Sequence, residues 1–191
     1  MTLDSYVFRG SRNYISGADI IDTFLSVHQF ASEVSAYDFI MKIKISHLYE
    51  CSTTPPESEE IIATFQSGNE KIFFWESDTP VLERVEDDED QITPLLSVNT
   101  ETQSVSIPAE IPNCDFHRKC VIAYRLLLNS TVLEGKNCKH VFVRIRLKEK
   151  PKGSFSIAYK RLVAGQFYEG VLLDNNKSVG SIFFTAEEAR S

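Results

Sequence analysis

The chain has 191 residues, of which 42% are hydrophobic and 25% charged, and its formal net charge is −7 at pH 7. This composition is typical of a folded protein, and the length allows one ordinary domain or two small ones. The acidic balance argues against a nucleic-acid partner, since attraction to phosphates requires clustered Lys and Arg. No apolar run reaches the roughly 18–20 residues of a membrane helix, and the N-terminus lacks the pattern of a secretory signal, so we expect a cytoplasmic protein with no membrane span.

The first predicted elements are a short extended segment at 7–10 and a helix that begins near Ser16. Ser16 and Asp19 have the spacing of a capping box, in which side-chain oxygens accept hydrogen bonds from backbone N–H groups that have no partner within the helix. Apolar residues then recur with helical spacing along one face. They are Ile20, Ile21, Phe24 and Leu25.

Strands follow this helix. From 39 to 49 apolar residues alternate with Lys42, Lys44 and Ser46, which predicts one half-buried strand with His47 on its apolar face. A turn at Ser67, Gly68 and Asn69 separates two further predicted strands. These strands cover 61–66 and 71–76.

An acidic run at 83–90 carries seven charges, six of them negative. Like charges at this density repel one another and prefer water, so the run is interpreted as a solvated linker. A docking surface for a basic partner is the alternative, and the run lacks the ligand spacing of an EF-hand calcium loop. The predicted organisation is a first unit at 1–82, an acidic linker at 83–94 and a second unit at 95–191.

The second half repeats the order of the first. A helix is predicted at 115–129, and a strand follows in which Val141, Val143, Ile145 and Leu147 alternate with more polar residues. His140 opens this strand and is expected to be exposed. Short connections then predict an antiparallel meander, with strands at 155–163, 166–173 and 178–185.

No nucleotide-binding, zinc-protease or serine-hydrolase motif is present, and the four cysteines and four histidines lack zinc-site spacing. We therefore predict neither a metal nor a cofactor. The junction before the first helix is the stronger candidate, because Arg12, Tyr14 and Gly17 lie beside a helix N-terminus that can polarise a carbonyl or hold an anion. The alternative is that Arg9 and Arg12 line the exposed face of an edge strand, with Gly17 an ordinary first-turn residue.

The order of strand, central helix and antiparallel meander resembles the hotdog fold, and its two copies resemble a double hotdog. The resemblance implies an α+β protein of two tandem hotdog-like units, each an antiparallel sheet wrapped on a central helix. Members of that superfamily act on acyl thioesters of coenzyme A or acyl carrier protein, as dehydratases, hydratases or thioesterases. Tyr14, Ile15, Ser16 and Gly17 stand where dehydratases have His-Phe-Pro-Gly, so Tyr14 replaces the usual catalytic histidine.

The resemblance also implies roles for residues near the first helix. Gly17 and Ala18 would hold the thioester carbonyl, and Arg12 and Ser16 would complete the substrate-binding set. Tyr14 and Asp19 would act as acid, base or water-positioner, with His47 as a further catalytic candidate. Acyl-CoA or an acyl carrier protein is the expected partner, and a homodimer is left open. Catalysis is also left open, since the chain could instead be a non-catalytic binding or assembly module for a protein or lipid, or an interaction protein with no hotdog ancestry.

Overall fold

The computed structural model describes residues 7–30 and 34–188, and its class is α+β. The segment 1–6, in which no signal peptide is expected, lies outside the described residues. Two long helices, α1 (Gly17–Val27) and α3 (Phe116–Ser130), and one short helix, α2 (Glu89–Ile92), are present, with a 3-10 turn at Thr93–Leu95. The strands are β1 (Val7–Arg9), β2 (Tyr37–Met41), β3 (His47–Ser52), β4 (Ile61–Ser67), β5 (Glu70–Pro80), β6 (Glu83–Val85), β7 (Ser97–Asn99), β8 (Ser104–Ile107), β9 (Cys138–Leu147), β10 (Phe155–Val163), β11 (Phe167–Asp174) and β12 (Lys177–Glu188).

Ten strands form one antiparallel sheet, in the order β3-β5-β4-β2-β9-β12-β11-β10-β8-β7. The first four in this order come from the N-terminal half of the chain and the other six from the C-terminal half. The halves meet at the pair of β2 and β9, where Phe39 lies opposite Ile145. The expected α+β class with antiparallel strands is therefore confirmed. No helix among the described residues has the length and apolar character needed to cross a membrane.

Helix α1 begins where its sequence predicts. Ser16 has an extended backbone, and its Oγ accepts a hydrogen bond from the Ala18 N–H at 3.3 Å. Phe24 is fully buried and its ring packs against Phe65 of β4 and Phe74 of β5. Burial of such a side chain contributes about 1.5–3 kcal/mol. The apolar face of the helix therefore fixes it to the N-terminal part of the sheet.

Helix α3 receives its N-terminal cap from the other helix. Asp115 occupies the capping position, but its side chain makes no capping hydrogen bond. Instead, the carboxylate of Asp22 on α1 accepts the backbone N–H groups of His117 at 3.2 Å and Arg118 at 3.1 Å. A carboxylate at the positive end of a helix is stabilising, so this contact joins the two halves of the chain.

The strand predicted at 39–49 is two strands in the structure. The N–H groups of Lys42 and Ile43 both donate to the carbonyl of Ile62, so regular pairing between β2 and β4 stops at Met41. The chain then crosses to the edge of the sheet, where β3 begins. This break places His47 on an edge strand instead of a central one.

Strand β9 has the predicted position but contains a shift in register. Ile145 lies opposite Ile182, whereas Phe142 lies opposite Phe184, so β9 has one more residue than β12 between these two pairs. Such a bulge reverses the face of the residues that precede it. Phe142 is consequently buried, and His140, two residues earlier, shares its face.

The acidic segment between the halves contains β6 and α2, and its carboxylates contact arginines of both halves. Asp88 pairs with Arg118 of α3. Glu89 lies 3.2 Å from the Arg12 guanidinium and also contacts Arg125. The segment therefore packs on the protein through ion pairs, and its role as a linker between two units stays a prediction.

Candidate functional site

Two cavities occupy matching places in the two halves of the chain. Cavity A, of about 610 Å³, lies at the N-terminus of α1, and cavity B, of about 640 Å³, lies at the N-terminus of α3. The opposite helix contributes Val121 and Arg125 to cavity A, and Asp22 and Ser26 to cavity B. Val121 and Asp22 each lie five residues after the first residue of their own helix, and Arg125 and Ser26 each lie nine residues after it. The cavities are therefore equivalent in position.

Cavity A brings together four of the residues predicted from the sequence, which are Arg12, Tyr14, Ser16 and Gly17. Most of its remaining lining is apolar and comes from both halves of the sheet and from α3. These side chains are Ile15, Ile40, Met41, Ile43, Val121, Val141, Phe142, Val143, Phe167 and Phe184. An apolar enclosure with a few convergent polar groups is typical of a small-molecule site.

The rim of cavity A is mainly basic, although the carboxylate of Glu187 also lines the cavity. Tyr14 lies between two ammonium groups, with Lys44 Nζ 5.2 Å and Lys139 Nζ 5.4 Å from the centre of its ring. Burial and the neighbouring Lys139 lower the pKa of Lys44 from its ordinary value. Lys42 also lines the cavity. Clustered cations at a concave surface attract anions, so the rim can hold a phosphate or a carboxylate.

The first turn of α1 is closely packed. The Ala18 N–H, one of the two predicted carbonyl donors, already donates to Ser16 Oγ. Gly17 lies against an aromatic wall, since a Cβ built on it would be 2.8 Å from Phe142 Cδ1. Only a residue without a side chain fits this position without a shift of the ring. Gly17 thus brings the helix backbone up to the cavity lining.

His140 also lines cavity A, although the sequence predicted an exposed residue. Its Nε2 is shielded from solvent and has no hydrogen-bond partner among the residues that the structure describes. Burial, together with the positive charge of Arg125, lowers the pKa of the imidazole below its ordinary 6.5. The ring is therefore neutral at pH 7 and can accept a proton. The alternating pattern of β9 did not predict this position of His140, because the bulge that causes it depends on pairing with β12.

Asp19 and His47 lie outside the lining of both cavities. Asp19 Oδ2 accepts from Arg9 Nε at 3.4 Å, and burial raises the pKa of this carboxyl despite the nearby arginines. His47 Nδ1 lies 3.1 Å from Glu76 Oε1, and its side chain is 44% exposed. Neither is therefore brought to Tyr14.

Cavity B contains a hydrogen-bonded chain that the sequence did not indicate. His117 Nδ1 lies 2.5 Å from Asp22 Oδ1, and the Tyr37 hydroxyl is hydrogen-bonded to His117 Nε2. All three side chains line the cavity. The residues come from α1, α3 and β2, and Asp22 and His117 are 95 positions apart in sequence. Only the three-dimensional structure could bring them together.

No protein-family model matches the chain, and neither does any curated protein. Among solved structures, the dehydratase domain from the CurF module of curacin polyketide synthase aligns at 7% identity and a TM-score of 0.48, covering 93% of this chain and 85% of that one. The dehydratase domain of the polyketide PpsC from Mycobacterium tuberculosis aligns at 12% identity and a TM-score of 0.47, covering 92% and 85%. An acyl-CoA thioesterase II, TesB2 from Mycobacterium marinum, aligns at 7% identity and a TM-score of 0.39, covering 93% and 92%.

These three structures are two dehydratase domains and one thioesterase. What this chain binds depends on the residues of its two cavities. Within residues 7–30 and 34–188, no three His, Cys, Asp or Glu side chains are grouped closely enough to hold a metal ion.

Proposed function

We propose that the chain is a double-hotdog-like protein that binds an acyl thioester of coenzyme A or acyl carrier protein in cavity A. Two tandem units, 1–82 and 95–191, would arise from a duplicated α+β element joined by the segment 83–94. Two observations support the duplication. The strands of each half occupy one end of a single sheet, and the two cavities use equivalent helix positions.

The lining of cavity A supports a mode of binding. Its apolar wall encloses the acyl tail, and the first turn of α1 at Gly17 receives the thioester carbonyl. The carrier arm ends in phosphate, which the rim of Lys42, Lys44 and Lys139 attracts. Arg12 contributes to the same end of the cavity but shares its charge with Asp87 and Glu89.

The observation that carries a catalytic function is His140. A neutral imidazole with an unpartnered Nε2 lies in the same cavity as the N-terminus of α1. With a rotation of the ring that brings the shielded Nε2 to the cavity, it can take a proton from the acyl α-carbon, as in a dehydratase, or from water, as in a thioesterase. His140 would thus supply the base that Tyr14 does not, and Tyr14 would serve as acid or water-positioner.

The test is turnover of a panel of acyl-CoA and acyl-carrier thioesters, followed by mass spectrometry. We expect His140→Gln to lower kcat by about 10²–10⁴-fold, the usual contribution of a general base, with a small effect on KM. His28→Gln is the matched control, because His28 lies at the end of α1 beside Glu70 and outside cavity A. Equal losses in both variants would exclude a specific role for His140.

The alternative is a non-catalytic module that binds the thioester, or a related lipid or protein-borne group, without changing it. Two observations favour it: Ser16 already caps the Ala18 N–H, and Tyr14 stands in place of the usual histidine. Calorimetry with a non-hydrolysable acyl-pantetheine analogue separates the two functions. Binding without turnover supports the module, and absence of binding to the wild-type chain contradicts both proposals.

A further inference from the structure

Cavity B holds three ionisable side chains in one hydrogen-bonded series. Asp22 Oδ1 lies 2.5 Å from His117 Nδ1, and the Tyr37 hydroxyl meets His117 Nε2. His117 is 2% exposed and Tyr37 7% exposed, so both rings are fixed by their surroundings. A series of this kind, with each member held by the next, is the arrangement that orients a catalytic proton acceptor.

The contacts of Asp22 determine which atom donates and which accepts in each hydrogen bond of the series. Both oxygens of its carboxylate act as acceptors, Oδ1 for the backbone N–H of His117 and Oδ2 for that of Arg118. An acceptor oxygen pairs with a donor, so His117 Nδ1 carries the proton. Nε2 is then the acceptor, and the Tyr37 hydroxyl donates to it.

The cap of α3 does not account for this series. Capping needs only the backbone N–H groups and the Asp22 carboxylate, whereas the imidazole and the phenol add two more buried polar groups. Burying such groups is unfavourable unless each is hydrogen-bonded, and a fully satisfied series is a specific feature of a structure. The cavity opens onto all three members, at the place equivalent to cavity A.

We infer that cavity B is a second catalytic centre, in which Tyr37, His117 and Asp22 relay a proton for the hydrolysis of an acyl ester or thioester. Leu25, Phe30 and Phe116 give the cavity an apolar wall for the acyl chain. Lys150 is the cation of the lining, with its Nζ 5.7 Å from the centre of the Phe116 ring. Its ammonium group can attract a negative charge on the alcohol or thiol part of the substrate, or stabilise the oxyanion that develops on the acyl carbonyl.

The step balances without any further reactant than water. Water adds to the acyl carbonyl and passes a proton to the Tyr37 oxygen as Tyr37 passes its own proton to His117 Nε2. Asp22 holds the imidazolium that forms. When the tetrahedral adduct breaks its carbon–oxygen or carbon–sulfur bond, the proton returns along the same path to the leaving alkoxide or thiolate, giving a carboxylic acid and an alcohol or thiol.

The experiment compares Tyr37→Phe with Tyr49→Phe on the full chain, using p-nitrophenyl acyl esters and acyl-CoA as probes. Both variants remove one hydroxyl from a buried ring in the same half, but the Tyr49 hydroxyl donates to the Ile20 carbonyl at 3.2 Å, outside cavity B. On the probes whose hydrolysis persists in His140→Gln, we expect Tyr37→Phe to lower kcat by at least about 10²-fold with KM within threefold, and Tyr49→Phe to retain kcat. Equal effects would overturn the inference.

The pH dependence of kcat separates a catalytic role of the relay from a purely structural one, since loss of a structural contact would not change the shape of the profile. Besides its own members, the relay is faced by Cys120 on α3, Asp115 at the N-cap of α3, and Lys150, which follows β9 in the chain. We expect His117→Gln to lower kcat and to change its dependence on pH, because the variant lacks the imidazole that accepts the proton. If His117→Gln retains both the pH profile and the rate of the wild type, the relay is not catalytic.

The result is separable from the function proposed for cavity A. Hydrolysis lost in Tyr37→Phe but retained in His140→Gln assigns the activity to cavity B, whether or not cavity A binds thioesters. A wild-type chain that hydrolyses neither the esters nor acyl-CoA overturns the second centre, while calorimetry still decides binding in cavity A. Preference for the nitrophenyl esters or for acyl-CoA identifies whether the acyl group is carried on oxygen or sulfur.

Discussion

Asp38 joins the two halves of the sheet at the seam between β2 and β9. Its carboxylate accepts hydrogen bonds from Arg144 Nε at 2.7 Å and Arg146 Nη2 at 2.9 Å. The Asp38 side chain is 20% exposed, against 30% and 53% for the arginines, so water screens the pairs only in part. We therefore expect Asp38→Asn to lower the free energy of unfolding at pH 7 by about 1–2 kcal/mol, above the value of a fully exposed pair.

The effect of Asp38→Asn should depend on pH. Burial alone would raise the pKa of Asp38, but hydrogen bonds from Arg144 and Arg146 and their charges lower it below the ordinary 3.8. A carboxyl whose pKa is lower in the folded state contributes stability that is complete above its unfolded pKa. That contribution is lost as pH falls through the folded pKa. The wild type and Asp38→Asn should therefore differ at pH 7 and converge in acid.

Urea unfolding over a pH series measures this difference. Glu149→Gln is the control, because the Lys177–Glu149 pair has side chains 75% and 49% exposed and should contribute less than about 0.5 kcal/mol. A loss for Asp38→Asn no larger than that of the control would contradict the reasoning. So would a loss of the same size at every pH, since that would point to packing instead of charge.

Two other substitutions test the packing around the helices. Gly17→Ala places a Cβ 2.8 Å from Phe142 Cδ1, so we expect urea unfolding to show a free energy of unfolding lower by about 1 kcal/mol, together with weaker ligand binding in cavity A. Gly153→Ala is the control, because the space around Gly153 is open, and it should change neither quantity. Tyr124→Phe removes a buried hydroxyl that has no hydrogen-bond partner among the described residues, so thermal unfolding should show an unchanged or higher Tm, and a clear drop would reveal a partner.

The elements that sequence reasoning located are those set by local signals. Ser16 predicts the start of α1 because a hydroxyl can cap its own first turn, and the structure shows that contact with the Ala18 N–H. The predicted strand at 155–163 has the bounds of β10, since its turns and apolar run are local too. The turn at Asn175 and Asn176 adopts positive φ at both residues, as a tight hairpin requires.

The candidate sites were harder to predict from the sequence, because they depend on pairings between residues that are distant in the chain. His140 faces the helices only because β9 carries a bulge against β12, and nothing within β9 itself marks that shift. The Asp22–His117 pair joins residues from two helices whose relative position follows from the whole sheet. Likewise, the acidic run at 83–90 was predicted to be a solvated linker. In the structure its carboxylates form ion pairs with Arg118, Arg12 and Arg125, which are distant in sequence.

The two cavities share a geometry but differ in charge at one decisive position. Where cavity B has Asp22, cavity A has Val121, five residues into the equivalent helix. In cavity B the Asp22 carboxylate accepts the first N–H groups of α3, so these groups are not free to stabilise an oxyanion, and the chemistry proposed there uses proton transfer through His117. In cavity A Val121 takes the equivalent place, and Ser16 Oγ accepts the Ala18 N–H, so of the two predicted donors the Gly17 N–H is left for a carbonyl or an anion. One duplicated framework would therefore support electrostatic binding in one half and a proton relay in the other.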